Sequence, residues 1–151
     1  MASNKDILLQ FGLEIQREIV QHHIAAGQRA TGDTMNALEV EASEDRLIIS
    51  GPAHLQVLED GRRSGKRPPV SVIERWILAK GIKPTKGTVN SLAWAITKKI
   101  GLLGTALHRK GGRRDIFSNV ITGERVGRLS SLLEGRFANL IKEEVLVQFE
   151  R

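Results

Sequence analysis

Apolar side chains recur at three- and four-residue spacing from Ile7 and Leu8 through Phe11, Ile15 and Ile19 to His22 or His23. That period predicts an amphipathic helix over residues 5–26. Leu13 and Val20 lie off the stripe, and Gly27 is placed to end it. Residues 27–34, GQRATGDT, carry turn chemistry and read as a linker. The period then changes to two. Ala37 to Ala42 alternates apolar and acidic side chains, as a half-buried strand does. Ser43-Glu44-Asp45 turns the chain, and Arg46 to Ser50 returns it to Gly51-Pro52. Leu55, Val57 and Leu58 form a third short strand or a helical turn, so residues 36–58 read as a small antiparallel β-meander.

Helical spacing resumes after Pro68-Pro69, which favour an extended approach and bar an earlier helix start. Ser71 to Glu74 has the form of a capping box, in which the Ser71 hydroxyl accepts from the Glu74 amide and the Glu74 carboxylate reaches back. Ile73, Trp76 and Ile77 make the expected buried face, Gly81 the cap, and Pro84 bars continuation. Val89, Leu92, Ala93, Ile96, Ile100 and Leu103 line one face of a second helix, with Lys98 and Lys99 off it and Gly104 at its end. Residues 105–114, TALHRKGGRR, read as a basic loop. Asp115 caps a short segment, and from Glu124 the helical period returns through Val126, Leu129, Leu132, Leu133, Phe137, Leu140 and Ile141. Residues 145–149 alternate and fit either a terminal strand or more helix. The pattern as a whole predicts one α+β domain over residues 1–151: an N-terminal helix, a small antiparallel β-meander, two central helices and a C-terminal helix. Loops at about 60–69 and 105–114 are expected to project.

Charge changes this picture. The net charge is +6, but residues 1–60 carry −6, residues 61–114 carry +13, with Glu74 as their one acid, and residues 115–151 carry −1. A basic middle beside an acidic front suits an anionic partner such as nucleic acid, or head-to-tail contact between copies. A hydrophobic content of 40% belongs to a globular chain, and there is no cysteine for a disulfide or thiolate metal site. No apolar run approaches a membrane span, and the first residues lack the pattern of a secretory leader.

The loop GRRSGKRPP is not a phosphate-binding Walker loop, because Gly65-Lys66 is followed by Arg67 and two prolines instead of a helix-opening Ser or Thr. His22 and His23 are adjacent and point about 100° apart on a helix, so they do not share a metal as an i,i+4 pair would. His54 and His108 have no carboxylate at ligand spacing. Ser71 has no activating base near it in sequence, and Glu59 and Asp60 would leave a strand on opposite faces. Aromatic residues are too few for a base-stacking surface. Neither a catalytic site, a metal nor a cofactor is expected. Two groups of cations remain as candidate contact residues. Arg62, Arg63, Lys66 and Arg67 form a subunit-contact loop framed by Gly61, Pro68 and Pro69. Lys98, Lys99, Arg109, Lys110, Arg113 and Arg114 suit DNA phosphates or an acidic neighbour.

Several segments, in order, resemble one family. Arg29-Ala30-Thr31-Gly32-Asp33-Thr34-Met35-Asn36-Ala37-Leu38 is similar to the R-x-T-G-x-L-x-x-S-L stretch after the first helix of tailed-bacteriophage neck and tail-completion proteins. His54 to Arg62 resembles their Y-A-x-x-L-E-x-G-R segment, and Pro68 to Ile82 their P-P-V-x-x-I-x-x-W-I-x-x-K-G-I block. Leu92 to Ile100 with Gly104-Thr105, and then Asp115-Ile116-Phe117, continue the order, so the resemblance spans about residues 1–142. His54-Leu55 and Met35 depart from the pattern. The resemblance implies a structural virion protein of the neck or upper tail without enzymatic activity, present in the host cytoplasm during assembly. Its implied role is tail completion, tail termination or head–tail joining. Its implied partners are copies of itself in a hexameric or dodecameric ring, neighbouring connector, tail-tube or terminator proteins, and packaged DNA in the channel, with no membrane.

Overall fold

A computed structural model describes the backbone of residues 2–149 and the side chains of residues 2–141. Helix α1 (Asn4–Ala25) opens on a reciprocal cap: the Asp6 amide donates to the Ser3 hydroxyl at 3.1 Å, and the Ser3 amide donates to the Asp6 carboxylate at 2.7 Å. Its stripe is the expected one, with Leu8, Ile15, Ile19 and His23 buried. The helix ends at Gly27, where the Gly27 and Gln28 amides return to the Ile24 and His23 carbonyls.

The presumed linker contains one helical turn, α2 (Asp33–Asn36), which buries Met35. Strands β1 (Glu39–Ala42) and β2 (Leu47–Ser50) then pair antiparallel with Val40 opposite Ile49 and Ala42 opposite Leu47. Val40, Ala42, Leu47 and Ile49 point inward, and Glu39, Glu41, Ile48 and Ser50 outward. The hairpin lies against α1 at Gly12, where a β-carbon would come within 2.5 Å of Val40 and 2.7 Å of Leu47. The meander has no third strand: residues 57–60 are a helical turn, α3 (Val57–Asp60). Ile15, Ile19, Met35, Leu38, Ile116 and Val120 form the core, flanked by Phe11, Leu55, Leu58 and Phe117.

Helices α4 (Val70–Ala79) and α5 (Val89–Leu103) pack on each other around Ile77 and Ala93, both fully buried. Two expectations for α4 are corrected. Its first turn already includes Ser71, the N-cap is Pro69, and no side chain caps it. Proline's fixed φ suits a helix entrance, so α4 starts before the serine, and Glu74 instead accepts from the Asn90 side chain of α5 at 2.5 Å. Trp76 is 38% exposed and does not anchor the helix in the core. Gly81 does close α4, with the Gly81 and Ile82 amides on the Leu78 and Ile77 carbonyls. The reciprocal cap in this region belongs to α5, between Thr88 and Ser91. On α5 the buried side runs through Ala93 and Thr97, and Leu103 is exposed.

Residues 105–114 are not an open loop: Thr105 caps one helical turn, α6 (Ala106–Arg109). Helix α7 (Gly123–Phe149) includes residues 145–149, so the alternation there does not make a strand. Arg125 fastens its start to α1 through Glu18 (2.6 Å) and Glu14 (3.0 Å).

Candidate functional site: a basic platform at the end of α5

The two groups of cations separated in sequence meet in space. The backbone of residues 62–65 lies along the exit of α5: the Gly65 amide donates to the Gly101 carbonyl (2.8 Å), the Thr105 amide to the Arg62 carbonyl (2.9 Å), and the Arg62 amide to the Thr105 hydroxyl (2.9 Å). Gly104 permits this approach, since a β-carbon there would sit 2.6 Å from the Arg62 carbonyl oxygen. The stem of Arg67 covers Gly101, and Arg109 donates to the Gly104 carbonyl at 2.8 Å. The expectation of two projecting loops is therefore corrected: both are held down by backbone hydrogen bonds, and their side chains form one surface.

Arg62, Lys66, Arg67, Lys99 and Arg109 are brought together around the α5 exit, and Arg63, Lys98 and Lys110 adjoin them in sequence, for eight cations in all. None is in an ion pair among the described residues. Part of the clustering has a local cause, because α5 ends here and its terminal carbonyls favour cations. Arg113 and Arg114 have acid partners, although Arg114 shares a recess with Arg63, Gly61 and His108. Arg113 grips Asp115 through two hydrogen bonds of 2.6 and 2.7 Å, drawing the Asp115 carboxyl down to about 2, and Arg114 faces Asp60 at 3.6 Å. Asp115 is thus an ion-pair partner, and the turn that follows it is governed by another acid.

That acid is Glu59, 1% exposed. Its Oε1 accepts the amides of Ile116 (3.1 Å), Phe117 (2.8 Å) and Ser118 (2.9 Å), and its Oε2 accepts the Ser118 hydroxyl. Burial works to raise the carboxyl, and these four donors outweigh it, so Glu59 titrates below its ordinary value. Its carbonyl also accepts the Arg113 amide at 2.8 Å. Glu59 fixes the base on which the platform stands. Gly61, two residues on, adopts φ +70°, and a β-carbon there would lie 2.4 Å from the His108 amide nitrogen. At the far end of residues 62–67, Pro68 is buried and Pro69 exposed.

The sequence leaves residues 55–58 as either a short strand or a helical turn, and the reading of Glu59 rests on the strand alternative alone, which parts it from Asp60. A helical period puts Leu55, Leu58 and Glu59 on one side, and all three turn inward in the fold, Leu58 and Glu59 from α3 and Leu55 from the turn before it. Of His22 and His23, either of which the spacing allows on the α1 stripe, it is His23 that turns inward. It is 3% exposed, and burial, with Lys80 and Arg29 adding to it, lowers its proton affinity. It lines a cleft of about 400 Å³ with Gln28, Thr34, His54, Arg75 and Trp76. Among the described residues no three His, Cys, Asp or Glu side chains gather as a metal site, and no helix is long and apolar enough to cross a membrane. No protein-family model, curated protein or solved structure matches the chain.

Proposed function

We propose that the chain is a non-catalytic assembly subunit of the tailed-phage neck type, acting at the head–tail junction or the top of the tail. In this reading it builds a ring by head-to-tail contact of its basic platform with the acidic hairpin of the next copy. The observation that carries the reading is the merging of residues 62–67 and 98–110 into one platform without acid partners, in a chain whose hairpin exposes Glu39, Glu41, Glu44 and Asp45, also without cationic partners among the described residues. The platform cations and the hairpin acids do not pair within one copy among the described residues; between copies they can, and unlike faces generate rings when the rotation closes. The resemblance to neck proteins supplies the setting.

The test is reciprocal charge reversal followed by sedimentation. R62E/R67E should abolish self-association, E39R/E41R should do the same, and an equimolar mixture of the two proteins should regain assemblies of wild-type size in which the two alternate. Unchanged assembly of R62E/R67E would reject the contact.

A second reading has its own support. Eight cations on one surface also suit sequence-nonspecific contact with DNA phosphates, as in the lining of a channel, and the two uses are compatible if the ring encloses DNA.

A further inference from the structure

Helix α7 runs antiparallel along α1 for only part of its length. Arg125 pairs with Glu14 and Glu18 in the middle of α1. The Ser3 amide and hydroxyl hold the Asp6 carboxyl below its ordinary value, with smaller contributions from Lys5 and Arg136, so Arg136 lies near the first turn of α1. α1 begins at Asn4, yet α7 continues for thirteen residues beyond Arg136, about 20 Å of helix. In its described part this extension leaves Phe137 51% and Ile141 61% exposed. Glu134, Phe137 and Ile141 follow one another at three- and four-residue spacing and so share a face. Glu134, exposed, meets no cation among the described residues and accepts only the Ser130 hydroxyl, at 3.3 Å.

The same chain carries a groove of matching character. Ile73, Trp76, Ile96, Ile100 and Leu107, from α4, α5 and α6, line an apolar depression of about 570 Å³, and Lys99 and Arg109 of the basic platform stand at its rim. An apolar helix face with one carboxylate, and an apolar groove with two cations beside it, are complementary in both polarity and charge. Helices commonly dock in this way, by a few apolar anchors in a groove.

We propose that the end of α7 from one copy seats in the α4–α5–α6 groove of a second copy, with Phe137 and Ile141 as anchors and Glu134 between Lys99 and Arg109. This rests on the self-association reading and names its apolar half. Because helix and groove are different surfaces, the contact is head-to-tail and leaves a free helix and a free groove for further copies. The hairpin contact at residues 62–67 lies on the neighbouring part of the platform and is not displaced.

The chain has no cysteine, so two introduced ones report a single contact. Phe137→Cys and Ile100→Cys are made in separate proteins, mixed and oxidised, and Phe137→Asp is followed by sedimentation with circular dichroism as the fold control. The proposal expects a disulfide between the two different proteins, and an association midpoint moved at least tenfold higher in concentration by Phe137→Asp. Disulfides only between two Phe137→Cys copies would mean that α7 pairs with α7 and would overturn it. Association that survives Phe137→Asp but not R62E/R67E would overturn the groove contact and leave the charge contact standing. A wild-type chain that stays monomeric at every concentration would end both.

Discussion

Glu59 shows how one side chain can set a site without belonging to it. A buried carboxylate is costly unless its oxygens are filled, and here three consecutive amides and a hydroxyl fill them. Glu59→Ala leaves those amides buried without acceptors, so a loss of about 3 kcal/mol is expected in urea unfolding, at an unchanged denaturant slope. The pH dependence has a definite sign. Folding lowers the Glu59 proton affinity, so the unfolded chain takes up the proton first on acidification. The stabilisation is complete above about pH 4.3 and is lost as pH falls through the lower folded value, and that part of the acid sensitivity should disappear in Glu59→Gln. Gly61 gives a second prediction. Gly81 and Gly61 both have positive φ, +67° and +70°, Gly61 with an extended ψ of −177°, but a β-carbon at Gly81 meets nothing within 4 Å. Gly81→Ala should cost about 1 kcal/mol for conformation alone. Gly61→Ala should cost at least twice as much in the same titration, because it must also push α6 away from the loop that carries Arg62 and Arg63.

Helix boundaries test what local chemistry decides. Thr88 caps α5 and Ser71 caps nothing. Thr88→Ala should therefore lower the stability by about 1 kcal/mol, while Ser71→Ala should change it by less than about 0.5 kcal/mol. Equal losses in thermal unfolding would restore the cap first read at Ser71. The elements that could be read from the chain are those with a sustained period. α1, α5 and the hairpin follow Ile15–Ile19, Ala93–Ile96 and the Glu39–Ala42 alternation closely, because burial of one face imposes the repeat. Single turns such as α2, α3 and α6 are too short to show a period, and contacts with distant segments fix them. Met35 is buried among α1 and the 116–120 turn, and Glu59 reaches that same turn across more than fifty residues of chain. The site divided along the same line. Its cations could be named from composition, but their union into one platform depended on Gly65 meeting Gly101 and Arg62 meeting Thr105, pairings that no local signal announces. Arg114 meets Asp60 only in the fold, whereas Arg113 pairs with Asp115 two residues on, a partner visible in the sequence.

Across the whole molecule, charge is segregated and not balanced. The platform gathers cations from residues 62–110 while the hairpin displays acids from residues 39–45, and the ion pairs among the described residues use Arg113, Arg114, Arg125 and Arg128 instead. Cations kept apart from available acids repel one another, a cost that an anionic partner relieves. The two kinds of partner differ in how salt acts on them. Binding to duplex DNA releases condensed counterions, so the logarithm of the affinity should fall linearly with the logarithm of salt, by about 0.9 for each phosphate neutralised. With the eight platform side chains as the upper limit, a slope between about −4 and −7 is expected for the wild-type chain, independent of base sequence. Lys99→Ala and Arg109→Ala should each reduce that slope by about 1. Contact with the acidic hairpin of a second copy has no polyanion and releases no such layer, so self-association should weaken only modestly over the same salt range, with its apolar share in the α7 groove unaffected. Measuring DNA affinity and sedimentation across one salt series separates the two uses of the platform. A steep DNA slope beside shallow self-association means that both uses operate. A flat DNA response assigns the platform to protein contact alone.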